Sequence, residues 1–355
     1  MSDVDMRQVD LAFSAQAEVE SLEVTGELFG ASHRFEHEGQ KVEIRVPAVT
    51  LDEKLQPIEK HRRLAEFRSG WAVNPTRETN SYAIGHLETS IALLDPMLIP
   101  KAMLDVPPKR TDIAGPILSE ELDELSIECE GHLASAVAHW KAVVRWITGS
   151  RAIDTPGGLP GRQAEAAFQF QALVSLPDHK RLWMPTAVLA LQRPTKLNAE
   201  AWTRIGAVLK AGHDVPIWSL FLDQAFRYLQ QWDATGCVLT CAIACETLAK
   251  QINALSPTNA DGTPNANSVR TRPRMATIIG NWEALTGYSD KDARTIEIRE
   301  LVKIRNDLMH SGGIKLNPDH ARAQRLYDAA INFVRLGEDL FYSKRGEINP
   351  RHLLV

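Results

Sequence analysis

The stretch Thr295–Gly313 reads TIEIRELVKIRNDLMHSGG, and its spacing decides how the second half of the chain is read. Ile298, Leu301, Ile304 and Leu308 recur at helical intervals, and Gly312-Gly313 supply a stop signal. At about 100° per residue the four apolar side chains form one arc. Arg305 falls inside that arc, one turn from both Leu301 and Leu308. A guanidinium on a buried stripe needs a partner or a cleft. In a regular helix His310 would face away from Arg305. Here it stands in the last turn, where Ser311-Gly312-Gly313 let the backbone leave the helix and re-aim the ring. The bland alternative is a snorkelling arginine and a helix-terminal cation.

Composition sets the surroundings. The chain has 355 residues, 44% hydrophobic and 24% charged, which suits a globular protein of two domains. Aromatics are 6%, too few for a wide base-stacking surface. The formal charge of -5 excludes a general polyanion binder. From Ser268 onward, however, Lys and Arg exceed Asp and Glu by 4, so the Arg305 helix sits in a basic region. The N-terminus MSDVDMRQVD is polar and acidic, without a signal peptide, and no apolar run reaches membrane-span length. A cytoplasmic location is expected, with no membrane association. Cys237, Cys241 and Cys245 step by one helical turn on an apolar face and are expected to be small buried hydrophobes.

Upstream, VESLEVTGELFG and QKVEIRVPAV alternate as half-buried strands, separated by the polar segment ASHRFEHEGQ. A strand is expected within Ser81–Leu94, an extended connection across the Pro-rich region 96–116, and another strand at ELSIECEGH. Residues 134–148 carry Trp140 and Trp146 on a helix. AAFQFQALVSL and LWMPTAVLAL read as two further strands. His33–His37, HRFEH, spells an inverted zinc-peptidase string. Its place between Gly30 and Gly39, with no third ligand, instead indicates a solvated polar loop. From Leu197 the pattern turns helical. LNAEAWTRIGAVLKAG has Asn198 as N-cap, and VPIWSLFLDQAFRYLQQ follows. Beyond Trp232-Asp233 lies a long apolar-faced helix, then a polar loop over 256–273 that is not expected to be ordered throughout. The last helix runs over 318–342. The expected fold class is α+β. Residues 1–196 form a strand-rich, β-sandwich-like recognition or regulatory module, and residues 197–355 an all-α bundle.

The bundle resembles the HEPN superfamily (higher eukaryotes and prokaryotes nucleotide-binding). The likeness rests on R-N-D-L-M-H, Arg305–His310, late in the bundle; on E-T-L-A-K, Glu246–Lys250, in the preceding long helix; and on the helical pair around the Asp-containing turn of LFLDQAFRYLQQWDATGCVLTCAIACETL. It spans about residues 198–342. A strand-rich module ahead of such a bundle is similar in architecture to the ApeA-like defence proteins. The resemblance implies a metal-independent endoribonuclease without cofactor, acting as a homodimer on RNA in antiviral defence or toxin-like growth control. An inhibitor, an activator or a phage-derived trigger would restrain or release it. Arg305, His310 and Glu246 would be catalytic, and Asn306 and Lys250 would contact the substrate. The alternatives are a non-catalytic HEPN dimerisation and binding module, or the nucleotide-binding component of a toxin–antitoxin pair.

Overall fold

In the computed structural model the described residues are 6–9, 12–49, 81–92, 97–100, 116–151, 153, 195–268, 274–311 and 318–353. The expected strands at AAFQFQALVSL and LWMPTAVLAL lie outside them. The chain is mixed, a sheet with helices toward the N-terminus and a helical region toward the C-terminus, and its contacts divide it into two compact units. No helix among the described residues is long and apolar enough to cross a membrane.

The first unit is organised on one five-stranded sheet. Its members are β2 (Ala12–Thr25), β3 (Ser32–His37), β4 (Gln40–Arg45), β5 (Ser81–Ala92) and β7 (Thr195–Leu197), in the order β3-β4-β5-β2-β7. β1 (Met6–Val9) and β6 (Met97–Pro100) pair separately. The neighbours β3-β4, β4-β5 and β5-β2 are antiparallel, and β7 joins β2 in parallel. The alternation read in β2 and β4 is visible as burial, and β5, expected within Ser81–Leu94, buries alternate residues too. Leu22, Val24, Val42, Ile44, Leu87 and Ile91 lie inside.

Two expectations fail here. The segment ASHRFEHEGQ is not a solvated loop, because residues 32–37 form β3 and pair in register with β4. A two-residue turn at Glu38-Gly39, both with positive φ, closes this hairpin, so the string had no need of a long connection. ELSIECEGH is not a strand either, since it lies inside α1 (Pro116–Thr148). Leu125, Ile127 and Cys129 mimic a period of two, but Ile127 is 72% exposed. The buried residues include Cys129, Leu133, Ala136, Trp140, Val143 and Ile147, which step by four and three.

α2 (Ala199–Lys210), expected from its sequence at the head of the helical domain, packs in this first unit against α1, β3 and β7. Asn198 caps it by accepting from the Ala201 N–H at 2.9 Å. Gly206 lets it approach the sheet, because a Cβ there would come within 3.0 Å of the His33 ring.

The second unit contains α3 (Ile217–Gln230), α4 (Ala234–Ala254), α5 (Met275–Gly280), α6 (Trp282–Thr286), α7 (Thr295–Ser311) and α8 (His320–Arg345). α4 lies against α3, α7 and α8 and is buried almost all round. Its small residues permit this. Cys237, Cys241 and Cys245 are buried, and burial pushes the Cys245 thiol well above its ordinary range, so all three act as core atoms. α8 contributes Gly337, where a Cβ would meet Leu248 Cδ2 at 2.7 Å. The described part of the polar loop after α4 is held in place. Asn265 Nδ2 donates to Asn253 Oδ1 (3.1 Å) and to the Ser256 carbonyl (2.9 Å), and Asn253 Nδ2 donates to the Asn267 carbonyl (3.0 Å).

Candidate functional site

α7 buries Ile298, Leu301, Ile304 and Leu308, the arc expected from their spacing. Arg305 stands at its edge with its side chain 34% exposed. From α4, Glu246 reaches across so that its Oε2 lies 3.7 Å from Arg305 Nη2. Glu246 Oε1 is engaged from one turn away by Lys250 Nζ, at 2.6 Å. Arg305 Nη1 also donates to Asn306 Oδ1 at 3.0 Å. Four of the five candidate residues, Glu246, Lys250, Arg305 and Asn306, therefore form one partly exposed cluster carried on two packed helices.

The carboxylate between two cations does two things. It fixes the guanidinium of Arg305 at the seam, and it leaves the cluster with one net positive charge. Exposure of this degree keeps each ion pair weak, with a typical value of roughly 0.2–1 kcal/mol. An arginine retains several N–H donors beyond those used here.

The backbone at His310 is helical and α7 continues through Ser311. The departure from helix expected at Ser311-Gly312-Gly313 has not begun at Ser311. The His310 side chain and residues 312–317 lie outside the described residues. Asp307, expected as solvated charge, is only partly exposed. Two apolar side chains near the cluster were not among the expected site residues. Met309, one turn beyond Arg305, and Ile243, one turn before Glu246, are both exposed. The signal available for them was position on the same helical faces.

The HRFEH string has a different fate. His33 is buried. Trp140 Nε1 donates to its Nδ1 at 2.9 Å, so Nε2 carries the proton and donates to the Trp202 carbonyl at 2.9 Å. The Trp202 indole stacks on the imidazole, with centroids 3.8 Å apart. Burial pushes this imidazole down to about 4, partly opposed by the bond to Trp202. Both nitrogens are occupied. In an extended strand four residues span about 13 Å, so His33 and His37 cannot share one ion as a helical pair does. His37 instead meets Ser135 Oγ at 2.9 Å and stacks on His139.

Comparisons with family models, with curated proteins and with solved structures find no match for this chain.

Proposed function

We propose that the helical unit is a HEPN-like bundle acting as a metal-independent endoribonuclease, and that it works as a homodimer. The observation that carries this reading is the meeting of Glu246 and Arg305 across α4 and α7 at 3.7 Å, with Lys250 on the same carboxylate. The resemblance gave Glu246 as a residue that could orient Arg305 or His310, and 58 intervening residues separate Glu246 from Arg305 in the chain.

The chemistry suits the side chains. RNA carries its own nucleophile, the 2'-OH. Its oxygen attacks the adjacent phosphorus, its proton passes to a base, and the P–O5' bond breaks as the leaving oxygen takes a proton. The products are a 2',3'-cyclic phosphate and a 5'-OH. Moving these protons is work suited to an imidazole, and in this scheme His310 supplies it. The Arg305 guanidinium is suited to the phosphoryl oxygens as charge builds on them. In this scheme Glu246 orients Arg305, Lys250 adds a phosphate contact, and Asn306 steadies the guanidinium. The strand-rich module would supply recognition, in defence against phage or in growth control.

The test is incubation of the purified protein with cellular RNA in EDTA, followed by mapping of fragment ends. Cleavage leaving 2',3'-cyclic phosphate ends is expected, with His310→Ala and Arg305→Ala each lowering the rate by about 10²- to 10⁴-fold. Arg305→Lys should fail as well, since an ammonium does not reproduce the planar fork. Metal-dependent cutting with 5'-phosphate products would sink the mechanism.

One observation favours a second reading, a non-catalytic dimerisation module. Arg305 already has partners within its own chain, Glu246 and Asn306. On that reading Arg305→Ala loosens the dimer and His310→Ala changes nothing.

A further inference from the structure

Trp232 is the C′ residue of α3, and its backbone is left-handed, with φ 61°. The turn is a Schellman closure. The Asp233 N–H bonds the Tyr228 carbonyl at 2.9 Å and the Trp232 N–H bonds the Leu229 carbonyl at 3.1 Å. Glycine is the residue this position favours, because a Cβ is strained there. The chain instead places its bulkiest side chain at the site and leaves it 68% exposed. The other described tryptophans, at 140, 146, 202, 218 and 282, are buried. An exposed aromatic on a strained backbone is a poor use of a position unless the ring itself is needed.

The ring does not stand alone. It stacks on His320, the first residue of α8, with centroids 4.1 Å apart and planes 28° from parallel. The His320 Nδ1 is shielded from solvent without a hydrogen-bond partner. Burial lowers the imidazole's proton affinity, against the pull of Asp319, and favours the neutral ring. Among the described residues, three of the four that flank this pair in the chain are polar. Gln231, Asp233 and Asp319 are all exposed. An apolar protein contact needs a water-excluding rim, and the described residues around the pair do not provide one. A planar heterocycle with polar edges fits it.

Asp233 and Asp319 cap α4 and α8, each through Oδ1, accepting from Gly236 N at 2.8 Å and from Arg322 N at 2.7 Å. The helix dipoles offset much of their charge. Oδ2 of each is an acceptor that suits the exocyclic amino group of a base. Adenine, guanine and cytosine carry such a group and uracil does not, and of these three the two-ring purines offer the larger face for stacking.

The platform stands about 20 Å along α4 from the Arg305 cluster, because Asp233 caps that helix and Glu246, which meets Arg305, lies 13 residues further on. α7 and α8 run antiparallel, with Glu300 bonded to Arg322 and Arg325 and Asn332 bonded to the Asp292 carbonyl. Arg305 is five residues beyond Glu300, about 7.5 Å further along α7.

We infer that the Trp232–His320 pair is a base-stacking subsite for a purine of a single-stranded RNA bound at Arg305 and His310. The inference rests on the ribonuclease reading and adds to it a subsite and a base preference.

The test measures binding of labelled ten-nucleotide adenylate and uridylate RNAs in the full chain carrying His310→Ala, so that cleavage does not interfere. Stacking of one base on an aromatic ring typically contributes about 1–3 kcal/mol, which corresponds to roughly 5- to 150-fold in affinity. Adding Trp232→Gly should weaken adenylate binding by that factor and erase its preference over uridylate. The thermal midpoint should stay equal or rise, because glycine relieves the backbone. Trp232→Phe, which keeps a ring, should retain most of the affinity. Unchanged adenylate binding in Trp232→Gly overturns the subsite. A lowered thermal midpoint with glycine overturns it too, by marking the ring as a packing element. A changed oligomer mass with unaltered RNA binding overturns it in favour of a protein contact. The two readings fail separately. A wild-type chain that binds adenylate through Trp232 but cuts nothing loses the ribonuclease reading alone, and one that cuts RNA with no dependence on Trp232 loses the subsite alone.

Discussion

At the scale of the residue, the clearest energetic statement concerns His33. Its imidazole is buried between two indoles, accepts from Trp140 and donates to the Trp202 carbonyl, and is pushed down to about 4. The unfolded chain titrates it near about 6.5. Above that value both states are neutral and the group adds no pH dependence. As pH falls from about 6.5 toward 4, the unfolded state takes up the proton and the folded state does not, so stability is lost through that window and then levels off. The loss is on the order of 3 kcal/mol. Urea unfolding of the full chain at pH 7.5, 6, 5 and 4.5 should show this slope in the transition of the first unit. His33→Gln, which cannot take the proton, should flatten it. A slope that survives the substitution would assign the acid sensitivity to another group. Glu338 is the comparable buried carboxylate of the second unit, 1% exposed. Its two oxygens meet Trp218 Nε1 at 2.6 Å and Arg351 Nη1 at 3.2 Å. It satisfies the rule that a buried charge is paired.

At the scale of the element, α4 and α8 show how close packing selects residues. The Gly337 position on α8 faces Leu248 and Ile252 of α4 with no room for a Cβ at ordinary contact distance. Elsewhere in a helix interior, replacing glycine gains a few tenths of a kcal/mol up to about 1. Here the added atoms must displace core side chains, and overpacking typically costs about 1–3 kcal/mol. Gly337→Val should therefore lower the stability of the helical unit by about 2 kcal/mol, read as an earlier denaturant midpoint with unchanged slope. A neutral or stabilising result would mean that α8 does not lie on α4 at this level. α1 teaches the complementary lesson. Its first half can be read as alternating from Leu125, Ile127 and Cys129 taken alone. Only the continuation through Leu133, Ala136 and Trp140 shows which residues the helix buries.

At the scale of the whole molecule, the contacts divide after His213, so α2 belongs with the sheet although its sequence resembles the helices that follow. A fragment beginning at Asp214 should be soluble and helical by circular dichroism. One beginning at Leu197 carries the buried face of α2, with Trp202, Ile205, Val208 and Leu209, away from its partners. It should aggregate on size exclusion. Equal behaviour of the two fragments would place α2 with the helical unit instead. The homodimer is the second expectation at this scale. The exposed Met309 and Ile243, beside Arg305 and Glu246, are the side chains a partner subunit would cover. A solution mass showing only monomer at micromolar concentration would count against the dimer, and Met309→Asp should weaken it if these residues form the contact.

Periodicity along the chain was enough for the α+β class, the strands β2, β4 and β5, the helical second half, and the apolar arc of α7 with Arg305 set into it. Periodicity is a local property, and these features are local. The residues Glu246, Lys250, Arg305 and Asn306 were also legible as candidates. That they meet is a fact of the fold, because 58 residues intervene between Glu246 and Arg305 and no local pattern reports a distance across that gap. The same holds for His33. A polar string flanked by glycines looks solvated until Trp140 and Trp202, 107 and 169 positions away, close over it. Whether a polar group can be buried depends on its partners, and partners far along the chain are brought together only by tertiary packing.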